Sequence, residues 1–208
     1  RGYAELTKKA GGKLSPDLQQ ALGRIESESI RMTSLVEDLL LLARLDESGQ
    51  LEKEPVDLAQ IVRDALSDAY VTSPDHEWGA QGVEEAVMVE GDAQSLHQVV
   101  VNLLANARVH TPAGTSVEAR LVQDSRSTKL YVQDSGPGIP PESRKRLFQR
   151  FARGDSSRAR TSGSTGLGLS IVETIVKAHG GKVSLTSKPG KTIFTVTFPR
   201  YLVAKKAR

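Results

Sequence analysis

Along the first quarter of the chain, apolar residues return in alternating steps of four and three. Leu18, Leu22, Ile25, Met32, Val36, Leu39 and Ala43 follow this repeat, with Ser29 as its one polar member. Such a repeat is the seam of a coiled coil or four-helix bundle. Ser15 can cap the element, Pro16 suits the first helical position and Asp17 complements the positive end of the dipole. The pattern predicts one helix from residue 15 to about 44. Ala21, Leu35, Leu40 and Leu42 widen the stripe beyond what a single partner helix covers. Residues 2–9 read as the tail of a preceding antiparallel helix and 10–14 as the turn. Two helices per chain form a four-helix bundle by dimerising, so a homodimer is expected.

Residues 46–55 are mostly charged, with Gly and Pro, and mark a boundary. Beyond it, Asp57 can cap a helix with Leu58, Ile61, Val62, Ala65, Leu66 and Ala69 on one face, and strand-like stretches follow at 76–80 and 86–89. Asp92 can cap the next helix, whose inner face is Leu96, Val99, Val100, Leu103, Leu104 and Ala107. Asn102 and Asn106, four apart, then project together from another strip of that helix. Residues 115–123 and 128–133 read as one hairpin and 182–187 with 192–198 as another, with a helix at about 167–179 between them. The sum is an α+β chain: an α/β sandwich with a mixed sheet and helices on one face, preceded by a helical hairpin.

Two glycine-rich strings lie downstream of the paired asparagines: Asp134-Ser135-Gly136-Pro137-Gly138-Ile139-Pro140 and Gly163-Ser164-Thr165-Gly166-Leu167-Gly168-Leu169. Glycine lets backbone amides approach phosphate without a Cβ in the way. The carboxylate and the two carboxamides offer what adenine and a hard cation need. Each string alone is weak, and their order and spacing carry the reading of a nucleotide pocket.

Composition narrows the classes. The absence of Cys removes disulfides, thiolate chemistry and Cys-based zinc sites. No apolar run approaches the length of about 20 residues that a bilayer crossing requires. The sequence begins without Met and in mid-pattern, so further sequence is expected upstream. Arg144, Lys145, Arg146, Arg150, Arg153, Arg158 and Arg160 crowd one segment against Glu142 and Asp155. A solvated basic loop, an anion clamp beside the glycine strings and a nucleic-acid surface are the three readings. With 4% aromatic residues and none interleaved, the nucleic-acid surface ranks last of the three, and no nucleic-acid partner is expected. Residues 140–165 are expected to form a lid.

The second domain resembles the catalytic, ATP-binding domain of sensor histidine kinases, within the Bergerat-fold ATPase group. Leu96 to Ala107 resembles the asparagine box, the string at Asp134 the first glycine box, Leu147-Phe148-Gln149-Arg150-Phe151 the phenylalanine box and the string at Gly163 the second glycine box. Residues 15–46, ending Leu39-Leu40-Leu41-Leu42-Ala43-Arg44-Leu45-Asp46, resemble the second helix of the dimerisation and phosphotransfer domain. The resemblance implies a domain of residues 1–46, a linker of 47–55 and a catalytic domain of 56–208. It implies ATP and magnesium as cofactors and a response regulator receiver domain as partner. It also implies a cytoplasmic location for this part of a membrane sensor protein.

By the same resemblance, Asp134 accepts from the adenine amino group, Asn106 coordinates magnesium and Asn102 supports catalysis. Gly136, Gly138, Ile139 and His110 border the base, and Thr165, Gly166, Leu167, Gly168 and Leu169 border the phosphates. Arg153, then Arg150, reaches the γ-phosphate from the lid. Two departures stand out. Val109 occupies a position where the family commonly has a basic residue, with Arg108 one step early, about 100° around the helix. No segment resembles the phosphoacceptor box, whose His is expected about ten residues before Arg1, about 15 Å of helix. Two alternatives remain: a hydrolytic ATPase of the same fold, which places Glu where Asn102 stands, and a dimerising scaffold with an inert pocket.

Overall fold

The computed structural model describes residues 16–48, 52–151 and 166–202. The expected first helix and turn at 2–14 therefore lie outside the described residues. The chain divides into two compact units, Arg1–Ala43 and Arg44–Arg208. Helix α1 spans Pro16–Ser48, and its residues up to Ala43 are the described part of the first. Its polar seam residue is satisfied locally, because the Ser29 hydroxyl donates to Ile25 O at 2.8 Å. Leu18, Ile25, Met32, Val36 and Leu39 of the seam are exposed.

In the second unit β1 (Glu54–Asp57) leads into α2 (Leu58–Thr72), β2 (Glu77–Gln81), β3 (Met88–Gly91) and α3 (Ala93–His110). There follow β4 (Ser116–Gln123), β5 (Ser127–Asp134), a single turn α4 (Pro141–Arg144), α5 (Gly168–Ala178), β6 (Lys182–Lys188) and β7 (Lys191–Pro199). The main sheet has the order β2-β4-β5-β7-β6, with β2 parallel to β4 and the other pairs antiparallel. It is mixed, as the pattern predicts. β1 pairs with β3 as a separate two-stranded ribbon. This strand begins inside the stretch expected to be linker; only Val56 of its four residues is buried, so no alternation announces it.

Alternation in β5 and β7 buries Thr128, Leu130, Val132 and Asp134, and Thr192, Phe194, Val196 and Phe198. Helices α2 and α3 cover that face with the apolar stripes read from the sequence, and α5 with Ile171, Val172, Ile175 and Val176. Both caps act as expected. Asp57 Oδ1 accepts from Ala59 N at 3.0 Å and also from Val87 N at 2.9 Å, while Asp92 Oδ1 accepts from Ser95 N at 2.7 Å.

The far ends of α3 and α5 are pinned together by His179. Its Nδ1–H donates to Ile175 O at 2.8 Å and its Nε2 accepts from Asp92 N at 3.0 Å. A Cβ on Gly91 would stand 2.6 Å from the ring, so this contact needs glycine. Burial is the main cause lowering the His179 pKa below 6.5; Lys53 adds to it, whereas the Ile175 bond and Asp92 oppose it. The unfolded chain therefore takes up this proton more readily than the folded one. The stability is present above the unfolded value of 6.5 and is lost as pH falls below it. The melting temperature is expected to drop between about pH 7.5 and about pH 5.5. His179→Gln, which keeps one donor and one acceptor, should flatten part of that drop; an equally steep decline in the variant would clear His179 of the effect.

Candidate functional site

Asp134 closes the inward-facing row of β5, which leaves a carboxylate at the end of a buried strand, 6% exposed. Its Oδ1 accepts from Gly136 N at 2.9 Å, so one oxygen is committed to the turn. Burial pushes the carboxyl pKa up, and the Gly136 bond opposes this.

The glycines of this loop are there for want of space. A Cβ on Gly136 would stand 2.5 Å from Thr111 Cγ2 and 2.8 Å from Asp134 Oδ1. Gly138 has φ +82°, and a Cβ on it would stand 2.7 Å from the backbone of Lys188. Behind the loop stands the β6–β7 turn through Pro189 and Gly190, whose φ of +79° suits the third position of a type II turn. Gly190 N donates to Gly136 O at 2.9 Å. The Ile139 N–H donates to Ser187 Oγ at 2.8 Å, and Ser187 pairs with Thr192 at 3.0 Å. Arg144 Nε closes the loop's exit on Ile139 O at 2.8 Å.

At the other end, Gly166 turns the chain with φ +73° into fully buried Leu167 and the first turn of α5. Leu167, at the N-cap, makes no side-chain capping bond of its own. Asn102 lies against this end of the helix: a Cβ on Gly168 would be 3.4 Å from Asn102 Oδ1. Gln98 Nε2 donates to that oxygen at 3.3 Å. Asn102 Nδ2 is buried and has no partner among the described residues. An unmet buried donor costs about 1–3 kcal/mol. A donor beside the positive end of a helix dipole fits an anion such as phosphate, the group the two glycine strings were expected to hold.

Asn106 lies one turn farther along α3 and is half-buried, as are Ile139 and Leu169. Arg108 is exposed and Val109 half-buried. His110, the last residue of α3, is exposed as a residue, and desolvation of its imidazole lowers the pKa below 6.5. Arg150 lines a cleft of about 480 Å³ with Phe148, Ser170, Glu173, Thr174 and Lys177, along the flank of α5. Arg153 and Thr165 lie outside the described residues. So does most of the expected lid; its described part contains α4 and a run of turns.

Four residues at this site escape the sequence reading. Thr111, Ser187 and Thr192 are buried polar groups against the first glycine loop, and His76 is buried behind Thr111. Ser187 and Thr192 face inward where strand alternation leads one to expect apolar side chains. A break in that alternation is the signal that could have found them.

The chain matches two protein-family models: the histidine kinase-, DNA gyrase B-, and HSP90-like ATPase over residues 91–202, and the His kinase A (phospho-acceptor) domain over residues 1–48. It is 52% identical over 200 residues to the probable sensor histidine kinase TcrY of Mycobacterium tuberculosis, covering 96% of this chain and 42% of that one. It is 47% identical to the sensor histidine kinase TrcS of the same organism, with 96% and 40% covered. The chain thus spans about two fifths of these curated relatives. Among solved structures, full-length ShkA in complex with AMPPNP is similar with a TM-score of 0.74 and 26% identity, covering all of this chain and 43% of that one. The mycobacterial sensor histidine kinase MprB gives a TM-score of 0.62 and 31% identity over 73% of this chain and 99% of that one. With its phospho-acceptor-type helix and its ATPase fold in that order, this chain belongs to the sensor histidine kinases.

Proposed function

We propose that this chain binds Mg-ATP and transfers the γ-phosphoryl to an imidazole nitrogen on a phospho-acceptor helix, releasing ADP. The phosphoryl is then relayed to an Asp of a response regulator receiver domain. Residues 1–46 serve as the dimerisation and phosphotransfer part, 47–55 as linker and 56–208 as the catalytic part. The seam of α1, with Met32 64% exposed, supports a homodimer. No described helix is long and apolar enough to cross a membrane. A cytoplasmic place within a membrane sensor protein is part of this reading.

Asp134 Oδ2 accepts from the adenine amino group, with His110, Ile139, Gly136 and Gly138 around the base. The amides of Gly166, Leu167 and Gly168 and the Asn102 Nδ2 donor take phosphate oxygens, with Thr165 and Leu169 beside them. Arg153 or Arg150 reaches the γ-phosphate. No cluster of three His, Asp or Glu that could hold a metal is found among the described residues. By the family resemblance, the Asn106 carboxamide would hold magnesium together with the phosphates and water. Bound there, magnesium would neutralise charge on the phosphates. The chain's own contribution to phosphoryl transfer is positioning and hydrogen bonding.

The observation that carries this reading is Asn102, a buried donor beside the amino end of α5 that offers hydrogen bonds and cannot take a proton from water. The hydrolytic reading needs a base at that point. Steady-state ATP turnover near about one per second without a His acceptor, a rate within the ordinary enzyme range, would exchange the two readings. The positive test supplies Mg-ATP labelled at the γ-phosphate together with the phospho-acceptor domain of a relative. Label is expected on that domain, and its absence while nucleotide binds would favour the inert scaffold.

This chain is expected not to label itself. Its four histidines are His76, His97, His110 and His179, and none falls within the residues matched to the phospho-acceptor domain. His76 and His179 are buried with ring nitrogens engaged. Acid-labile radiolabel on this chain alone would overturn the expectation.

A further inference from the structure

We propose that Thr111 is the positioning residue that aims Asp134 at the base, its methyl group setting nucleotide affinity and its hydroxyl setting stability. The inference rests on the reading of this site as an adenine pocket. Two sides of one side chain meet two different structures. Thr111 follows α3 as its C-cap, its N–H bonding Ala107 O at 3.1 Å, and it is 7% exposed. The hydroxyl donates to Ala107 O at 2.8 Å, which leaves its oxygen as the acceptor for His76 Nε2 at 3.0 Å; His76 Nδ1 lies 3.3 Å from Asp75 Oδ1. His76 is itself buried, its ring 5.7 Å from that of Trp78.

The methyl points the other way. It occupies the space in which a Gly136 Cβ would stand, 2.5 Å from that point, and Asp134 Oδ1 closes the same space at 2.8 Å. Gly136 N–H is the group that holds Asp134 Oδ1. Pressing on Gly136 therefore fixes the carboxylate's rotation and directs Oδ2. Close-packed interiors transmit a gap of one methyl to their neighbours. A threonine is needed here because only it carries both groups on one Cβ.

The two roles separate by substitution. Thr111→Ser keeps the hydroxyl and removes the methyl, so Gly136 and Asp134 gain freedom while His76 stays paired. Mg-ADP affinity is expected to fall about fivefold, and the melting temperature by only about 2–4 °C, as for one buried methyl group lost. The preference for ADP over GDP should narrow with it, because guanine offers an acceptor where adenine offers a donor. Thr111→Val keeps the shape and strands the His76 N–H, so the melting temperature should fall by several degrees with Mg-ADP affinity within about twofold of the parent. Calorimetry and thermal melts on the full chain read both. Equal affinity in parent and Thr111→Ser, with binding intact, overturns the proposal, as does a loss of affinity in Thr111→Val that matches or exceeds that of Thr111→Ser. Failure of the parent to bind ADP strikes the adenine reading instead.

Discussion

Asp134→Asn is expected to reduce Mg-ADP affinity by about 100-fold, close to 3 kcal/mol, while leaving the fold intact or slightly firmer. Asn has one acceptor where Asp has two. The Gly136 N–H, 2.9 Å from Oδ1, needs that acceptor. The atom left to face the base is then an NH₂ group, set against the adenine amino group, donor against donor. Turning the amide over would serve the base and strand the Gly136 N–H in a buried turn instead. Either arrangement loses a bond the carboxylate makes.

Stability moves the other way. Burial raises the Asp134 pKa in the folded chain, so its contribution to stability is present below the unfolded value of 3.8 and is lost as pH rises through the folded value. At neutral pH the ionised group is a burden on the fold that a neutral Asn lifts. Titration calorimetry beside a thermal melt tests both parts. Unchanged affinity would remove Asp134 from the base site. Lost affinity with a collapsed melt would show a structural defect rather than a missing contact.

Local chemistry made much of this architecture readable. Asp57 and Asp92 act where their sequence positions place them, because a cap bonds to an amide two or three residues away. Helical periodicity kept Asn102 off the apolar face of α3, and it lies beside Gly168, sixty-six residues on, as the ordered boxes imply. What stayed hidden is non-local. Thr111 matters through contact with Gly136, and its neighbours in the chain carry no sign of that. The turn at Pro189 and Gly190 is legible as a turn, whereas its bond to Gly136 O depends on the β5–β7 register. The parallel pairing of β2 with β4 likewise has no signature in five residues of which none is fully buried.

The glycines that the resemblance treats alike should part company when tested. Gly138→Ala is expected to cost about 3 kcal/mol or more and to abolish nucleotide binding. A left-handed backbone costs an L-residue about 1–2 kcal/mol, and Gly138 has φ +82°. The larger part is overlap: the new Cβ would stand 2.7 Å from Lys188 C and O and 2.9 Å from Pro189 N. These are backbone atoms of a two-residue turn, so they can retreat only by moving the hairpin. That movement would pull Gly190 N from Gly136 O and loosen the loop that holds Asp134. Gly168→Ala meets only ordinary contact, 3.4 Å to Asn102 Oδ1, on the right-handed backbone of a helix. Its melting temperature should match or exceed that of the parent, since Ala outranks Gly in a helix. Any loss of affinity there would come from the methyl group standing between phosphate and the amide end of α5. Melts and calorimetry on the two variants decide it: comparable destabilisation by both would mean that the hairpin does not brace the first glycine loop.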